Sequence, residues 1–322
     1  MGFADEKWFV IVNPVAGGGR GLDHFPLISR LLREAGVHAE PFFTEHKFHA
    51  VELTVTAVKE GYRHILVVGG DGTLHEVVNG LFIQQVVKPD EVLLAVIPVG
   101  TGNDWARSFG TSNRYQDAVR NIVEGHAFLQ DVGQVSYEES HFRQTRYVAN
   151  VAGVGFDAHV IRQISRQEKR GFTRRWHYTI NLLRSYFGYK STGVKIWVDD
   201  KRVFNDLLFS IALGICKYNG GGIQQLPNAV ADDGMWDLTL VKPLHFWHVL
   251  FRLQYLYNGG IYRIGHVLHE RGTKIRIESS PEVSLEADGE LLGETPLEFT
   301  ILPRAIRVVV SKEFAENLKV KS

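Results

Sequence analysis

Apolar runs alternate with helical periodicities through roughly the first 130 residues. WFVIV (8–12) reads as a buried strand ending at Asn13-Pro14. Residues 22–35 place Leu27, Leu31 and Ala35 on one helical face and stop at Gly36. HAEPFFT (38–44) predicts a weaker strand, 49–60 a helix ending at Gly61, and HILVV (64–68) a strongly buried strand. From Thr73 onward Leu74, Val77, Val78 and Leu81 fall at helical spacing. VLLAVI (92–97) is another buried strand, broken by Pro98, and a helix follows from about Gln116 to Glu124. Strand–helix alternation of this kind predicts βα units around a mostly parallel sheet covered by helices on both faces, a three-layer α/β domain.

The rhythm changes at Asp131. RYVANV (146–151), VKIWV (194–198), LLFSIAL (207–213), DLTLV (237–241), KIRIE (274–278), VSLEA (283–287), LEFTI (297–301) and IRVVV (306–310) are short runs, many of them alternating. They predict a mainly antiparallel sheet or β-sandwich, interrupted by helical insertions near 160–187 and 244–258. Two domains are expected, 1–131 and 132–303, meeting at a change of structural class without a flexible linker.

Composition narrows the classes. With 44% apolar and 22% charged residues, the chain can bury a substantial core. The 36 basic and 36 acidic residues cancel, so the global charge of a nucleic-acid binder is absent. One cysteine, Cys216, excludes an intramolecular disulfide and a cysteine zinc site, which fits a reducing cytoplasm. MGFADEKWFV does not read as a secretory signal, and no run reaches the ~18 apolar residues of a spanning helix. The expected location is cytoplasmic, at most peripheral at the inner membrane face. A homodimer is neither required nor excluded.

Three glycine-rich loops follow three strands of the predicted sheet: NPVAGGGRG (13–21), GGDGT (69–73) and PVGTGND (98–104). Glycine gives up more backbone entropy on folding than alanine, so such runs cost stability. They let peptide N–H groups approach an anion, and a following helix N-terminus adds positive charge. A tight turn that binds nothing is the alternative for any one loop. Three on the carboxyl edge of one sheet, where open α/β sheets bind ligands, favour a phosphate site. GxxxxGK[ST], GxSxG and the protein-kinase signatures are missing, and the first loop matches GxGxxG imperfectly. Asp71 and Asp104 would repel a polyphosphate unless a divalent cation such as Mg²⁺ lay between, which points to phosphoryl transfer.

In this order, NPVAGGG, GGDGTLHEV and PVGTGNDWAR resemble the diacylglycerol kinase catalytic domain family, which includes bacterial soluble diacylglycerol kinases, YegS-like lipid kinases and sphingosine and ceramide kinases. GGGIQQLPNAVADDGMWDLTLV and EADGE extend the likeness over nearly the whole chain. GGDGT alone also occurs in NAD kinases and phosphofructokinases, whereas GTGND favours the lipid-kinase branch. The resemblance implies an N-terminal domain like that of NAD kinase and phosphofructokinase, a β-sandwich C-terminal domain, and a last segment, about 304–322, returning to the first domain. It implies an ATP- and Mg²⁺-dependent lipid kinase acting on diacylglycerol or a related lipid, with ATP in the interdomain cleft. Asn13, Thr44, Thr101 and the loop Gly70, Asp71, Gly72, Thr73, Leu74, His75 and Glu76 would hold the nucleotide. Asp71 would order Mg²⁺, and Asp104 and Asp131 would complete the acidic network; a turn residue is the alternative for Asp131. Glu290 would be the general base, with a plain hairpin tip as the alternative. Asp233 with the carbonyls of Val230 and Met235 would hold a structural magnesium, an ordinary turn being the alternative.

A lipid kinase must meet a bilayer. Residues 162–190 hold eight Lys/Arg, one Glu and interleaved aromatics, which suits an anionic interface at about 1 kcal/mol per basic residue. A solvated helix packed by Ile180, Leu183 and Phe187 is the alternative, and no RNA-binding motif accompanies the patch. The insert HFWHVLFRLQYLYNGG is apolar enough for core or for an acyl-chain groove. His46/His49, His245/His248 and His266/His269 are spaced three apart with no further ligand evident, Trp105 and Trp247 read as core, and Cys216 as inert. Two other functions stand beside the lipid kinase: a soluble-metabolite kinase of the NAD kinase type, and a non-catalytic binding protein, which would have no need of Asp71, Asp104 and Glu290 together.

Overall fold

The computed structural model describes residues 3–140, 142–168 and 184–321. The chain divides into two compact units, residues 1–130 with 304–322, and residues 131–303. Most of the expected segment 162–190 that lies at 169–183 is outside the described residues.

In the first unit the order is β1 (Lys7–Val12), α1 (Arg20–Glu34), β2 (His38–Phe43), α2 (His49–Lys59), β3 (His64–Gly69), α3 (Asp71–Ile83), β4 (Leu93–Pro98), α4 (Asp104–Ser108) and α5 (Tyr115–Glu124). β1 pairs in parallel with β2 and β3, and β3 with β4. The chain returns through the end of β15 (Glu290–Val309), whose Arg307 and Val308 pair in parallel with Leu93 and Leu94, and ends in α8 (Lys312–Lys321). β1, β3 and β4 are almost wholly buried, which explains why they read as continuous apolar runs. Among the described residues β2 pairs with β1 alone, and it is largely exposed, hence its weaker pattern. Trp8, Val10, Leu66, Val68, Leu93 and Ile97 meet Ile28, Leu32 and Ile122 of α1 and α5 in one core.

The second unit is a sandwich of antiparallel strands. One layer runs β12 (Val267–Gly272), β11 (Trp236–Val241), β10 (Ser210–Gly214), β7 (Val151–Gly155), β14 (Ser284–Ala287) and β15. In the other, β13 (Lys274–Ser279) joins β15 to β8 (Thr192–Val198) and β9 (Lys201–Leu208), and β5 (Ala127–Glu139) joins β15 to β6 (Phe142–Val148). Trp236 packs edge-on to Phe299, centroids 5.5 Å apart, and a Cβ on Gly133 would lie 2.0 Å from its ring. The helices α6 (Phe156–Glu168) and α7 (Phe246–Tyr257) are inserted among the strands.

Three expectations change in detail. RYVANV and LLFSIAL each divide between two strands, breaking at Ala149-Asn150 and at Phe209. LEFTI and IRVVV are parts of the single 20-residue strand β15. Trp247 is not core: it is 62% exposed, whereas Trp105 is buried with its indole N–H donated to Gln130.

Candidate functional site

In the first unit the strand order 2-1-3-4 places α1 and α3 on opposite faces of the sheet, so a crevice opens between the carboxyl ends of β1 and β3. A side-chain hydrogen bond spans it. Asn13 Nδ2 donates to Thr73 Oγ1 at 2.9 Å, while Asn13 Oδ1 accepts from Val15 N–H at 3.1 Å and turns the first loop. Thr44 closes the next strand, its N–H donated to Val12 O at 2.9 Å.

The glycines are required by close approach. Gly17, Gly18 and Gly19 all have positive φ, and a Cβ on Gly17 would lie 2.1 Å from Val99 O. A Cβ on Gly100 would lie 2.6 Å from Gly70 Cα, so the second and third loops touch backbone to backbone. Arg20, which sequence reasoning passed over, ties the first loop to the third by donating to Gly17 O at 3.0 Å and Gly100 O at 2.9 Å. Its place in the GGGRG run, just where α1 starts, was the available signal.

Asp71 is the first residue of α3. Its carboxylate accepts from Asp104 N–H at 3.2 Å and Trp105 N–H at 3.0 Å, so it caps α4. These two bonds fix the direction of the carboxylate. That donor set fits a magnesium ion reached through water, with the amide-lined loops supplying phosphate contacts. Asp104 is buried and ion-paired to Arg107. Glu76 accepts from Phe48 N–H at 2.9 Å and Ala50 N–H at 3.2 Å, capping α2. Leu74 and His75 are each 2% exposed, so neither side chain can reach a solute, and Leu74 N–H already donates to Gly70 O. Thr101 is exposed in the third loop.

In the second unit Asp131 is no helix-to-strand turn residue. It lies inside β5, fully buried; its N–H donates to Ala231 O at 2.8 Å and its carboxylate accepts from Gly234 N–H at 2.7 Å, anchoring the 231–235 turn. Asp233 in that turn is ion-paired to Arg271, whose Nε donates to Asp237 at 3.1 Å; His269 Nε2 lies 2.8 Å from the other Asp237 oxygen. A cation at Val230, Asp233 and Met235 would therefore compete with a guanidinium.

β14 and β15 are joined by Asp288-Gly289, both at positive φ, a two-residue hairpin turn as DG predicts, and Glu290 opens β15 opposite Ala287. Gly289 is exposed at the tip of this hairpin, while Asp288 beside it is not. Asp288 is buried and accepts from the N–H groups of Ala149, Asn150 and Val151 at 2.9–3.0 Å. This explains the break between β6 and β7, and it locks the turn that carries Glu290.

The same unit holds an open pocket, about 680 Å³ with the solvent at its mouth included, walled mainly by apolar residues including Phe156, Phe209, Leu244, Leu256 and Ile264. Asp157, Ser210, Gln225, Thr239 and Arg252 are its polar lining, with Gln225 Nε2 donating to Asp157 at 3.1 Å. Burial pushes the Asp157 carboxyl up to about 6, against hydrogen bonds from Gln225 and Ser210. Glu286 is held well above the carboxylate range, first by burial and then by the charge of Asp157.

His46 and His49 stack at 4.6 Å, and Glu52 brings a third donor within 4.8 Å, a ligand the spacing argument had not found. His49 Nδ1 accepts from Glu45 N–H at 3.0 Å, which places its proton on Nε2, and the group sits at the positive end of α2. Neither feature suits a cation. His269 is committed to Asp237, and Cys216 is buried.

Nucleotide-loop chemistry on a parallel sheet, joined to an antiparallel sandwich, defines a phosphotransferase fold. The diacylglycerol kinase catalytic domain model matches residues 7–135, and the YegS C-terminal NAD kinase beta sandwich-like domain model matches residues 150–310. The chain belongs to the diacylglycerol kinase family and is a lipid kinase. A diacylglycerol kinase of Staphylococcus carnosus is 27% identical over 94% of this chain and 95% of its own length. A diacylglycerol kinase crystal structure from Bacillus anthracis superposes with a TM-score of 0.71 at 23% identity, covering 96% of this chain and 98% of that one. Yeast NADH kinase shares the fold with a TM-score of 0.52 at 11% identity, over 98% and 87% of the two chains. Among the described residues no helix is long and apolar enough to cross a membrane.

Proposed function

We propose that this chain transfers the γ-phosphoryl group of ATP to a lipid hydroxyl, that of diacylglycerol or a related lipid, with Mg²⁺. The observation that carries the choice of acceptor is the apolar pocket of the second unit, whose phenylalanine, leucine and isoleucine walls suit an acyl chain. Its polar lining at Asp157, Gln225 and Ser210 would meet the oxygen-rich end of the lipid.

In this reading Asn13, Thr44, Thr101 and the backbone of Gly70–Glu76 receive the nucleotide. The amide-held Asp71 orders Mg²⁺ and its waters, and Asp104 and Asp131 belong to the surrounding acidic network. Bound magnesium would offset charge on the phosphates; positioning and charge neutralisation supply most of the catalysis in phosphoryl transfer. Glu290 takes the proton of the lipid hydroxyl as that oxygen attacks the terminal phosphorus, and ADP leaves. A second magnesium at Val230, Asp233 and Met235 is part of the proposal and requires Arg271 to release Asp233. The basic segment 162–190 contributes membrane contact.

The test is phosphate transfer from labelled ATP to diacylglycerol, other hydroxyl lipids and NAD, with and without a chelator. Transfer to a lipid that stops on chelation is expected. Transfer to NAD alone would replace this reading with a soluble-metabolite kinase, and chelator-resistant transfer would remove the metal.

A further inference from the structure

Gly153 of β7 lies opposite Glu286 of β14, and Asp157 lies in the first turn of α6 that follows. A Cβ on Gly153 would lie 2.6 Å from Glu286 Oε1 and 2.6 Å from Asp157 Cβ. The missing side chain is therefore the space in which two acids meet. Both are buried, Glu286 at 1% exposure and Asp157 at 6%, and among the described residues Glu286 Oε1 has no hydrogen-bond partner. Two negative charges placed together out of water repel strongly, and one proton held between them relieves it.

The surroundings offer no other relief. The charges acting on Glu286 are those of Asp157 and Asp288, both negative, while Gly289 N–H and Asn219 are neutral donors. Asp157 has the neutral donors Gln225 and Ser210. The Tyr189 hydroxyl, pushed up to about 12 by burial and then by Asp157, stays protonated. Arg162 is engaged by Ser284 and Glu294, and Arg252 on the α7 wall of the pocket shifts neither acid.

Glu286 also holds the hairpin. Its Oε2 accepts from Gly289 N–H at 3.0 Å, while Asp288 takes the N–H groups of Ala149, Asn150 and Val151. The turn before Glu290 is thus gripped at both of its residues. A row of amides joins it to the pocket: Gln225 Nε2 donates to Asp157, and Asn219 Nδ2 donates to Gln225 Oε1, each at 3.1 Å.

We propose that Glu286 is a positioning residue for Glu290, sharing one proton with Asp157 over Gly153 and in that state holding the Gly289 turn that presents the base. The inference rests on the general-base reading of Glu290 and adds a condition to it. When the last proton leaves the pair, repulsion drives Glu286 from Asp157, its hold on Gly289 goes, and the base loses its place.

The test is the pH profile of kcat for the full chain with diacylglycerol and saturating ATP, in wild type, Glu286→Gln and Glu286→Ala. Glutamine has the shape of a glutamate that cannot lose its proton: its oxygen can accept from Gly289 N–H and its amide N–H can donate to Asp157. Wild-type kcat should fall on the alkaline side, and Glu286→Gln should keep the neutral-pH kcat and lose that fall. Glu286→Ala should lose about 10–10²-fold in kcat with KM for ATP unchanged. Infrared titration of the protein without substrates should show a protonated-carboxyl band at neutral pH that Glu286→Gln removes. A Glu286→Gln profile superimposing on the wild type, or an unchanged infrared band, would overturn the proposal even if the alanine variant fails to fold. So would a loss of kcat in Glu286→Gln as large as in Glu286→Ala, since the site would then need the charge and not the proton. These outcomes beside an inactive Glu290→Gln count against this inference alone. A fully active Glu290→Gln would count against the general-base reading, with the infrared band still reporting the shared proton.

Discussion

The two units use the same residue type in opposite ways. In the first, Asp71 is held by the backbone N–H groups of Asp104 and Trp105. In the second, Asp157 lies in an apolar pocket and is pushed up to about 6 by burial. Amide donors settle where a carboxylate points; apolar surroundings settle whether it is charged. The first arrangement suits a group that addresses a cation and phosphates. The second suits a carboxyl that meets a neutral lipid. The contrast extends to construction, because the first site is made mainly of glycines and backbone, and the second of side chains.

The sharpest way to break this division is at Glu290, the residue of the sandwich assigned to the chemistry. Glu290→Gln should lower kcat by about 10²–10⁴-fold with ATP affinity unchanged, measured by steady-state kinetics and nucleotide titration. A comparable rise in the ATP Kd would place Glu290 in nucleotide binding instead.

Asp157 tests the apolar side of the contrast. Its folded carboxyl keeps a proton to about pH 6, against an ordinary value of 3.8. Between these values the native state binds more protons than the unfolded one, so stability falls as pH rises. The penalty is absent below about pH 4 and reaches up to about 3 kcal/mol above pH 6. Asp157→Asn should remove it, so urea midpoints at neutral pH should rise relative to wild type and those at acid pH should not. A wild-type curve that rises across this window would contradict the assignment.

Asp288 sharpens the comparison from within the second unit, since there a carboxylate is again held by amides. Asp288→Ala leaves the N–H groups of Ala149, Asn150 and Val151 without their acceptor, at a cost of about 1–3 kcal/mol in thermal denaturation. The variant should also lose kcat with KM for ATP unchanged. Retained kcat would mean that the turn holds Glu290 without this anchor.

The smallest expected effect is at the glycine side. Gly17→Ala combines a positive φ with a Cβ 2.1 Å from Val99 O, and should cost about 1–2 kcal/mol and weaken ATP binding. Unchanged nucleotide affinity would show that the first loop is a turn only.

Legibility differed between the units for physical reasons. β1, β3 and β4 are buried on both faces, so their apolar runs announced them, and Gly36 and Gly61 marked helix ends. The Asp288-Gly289 hairpin was equally readable, because both residues need positive φ and DG is the local answer. The strands β5 and β12 matched no predicted run, and β9 only at its last two residues; three of eight residues in β9 and four of six in β12 are buried or half-buried without a regular alternation, leaving weak patterns. In the site, glycines and acids were visible as letters, but their partners were not. Arg20 bridging two loops, Glu76 capping α2 and Arg271 occupying Asp233 all depend on residues distant in sequence.

The order of strands and helices, the glycine loops and the likeness to a lipid-kinase family follow from the chain's own letters, because periodicity and backbone freedom are local properties. The pocket, the ionisation of Asp157 and the exposed aromatics of α7 were decided only when strands and helices packed, because burial is a property of neighbours. Trp247 makes the point: it reads as core by residue type, and only its place on α7 turns it to the outside.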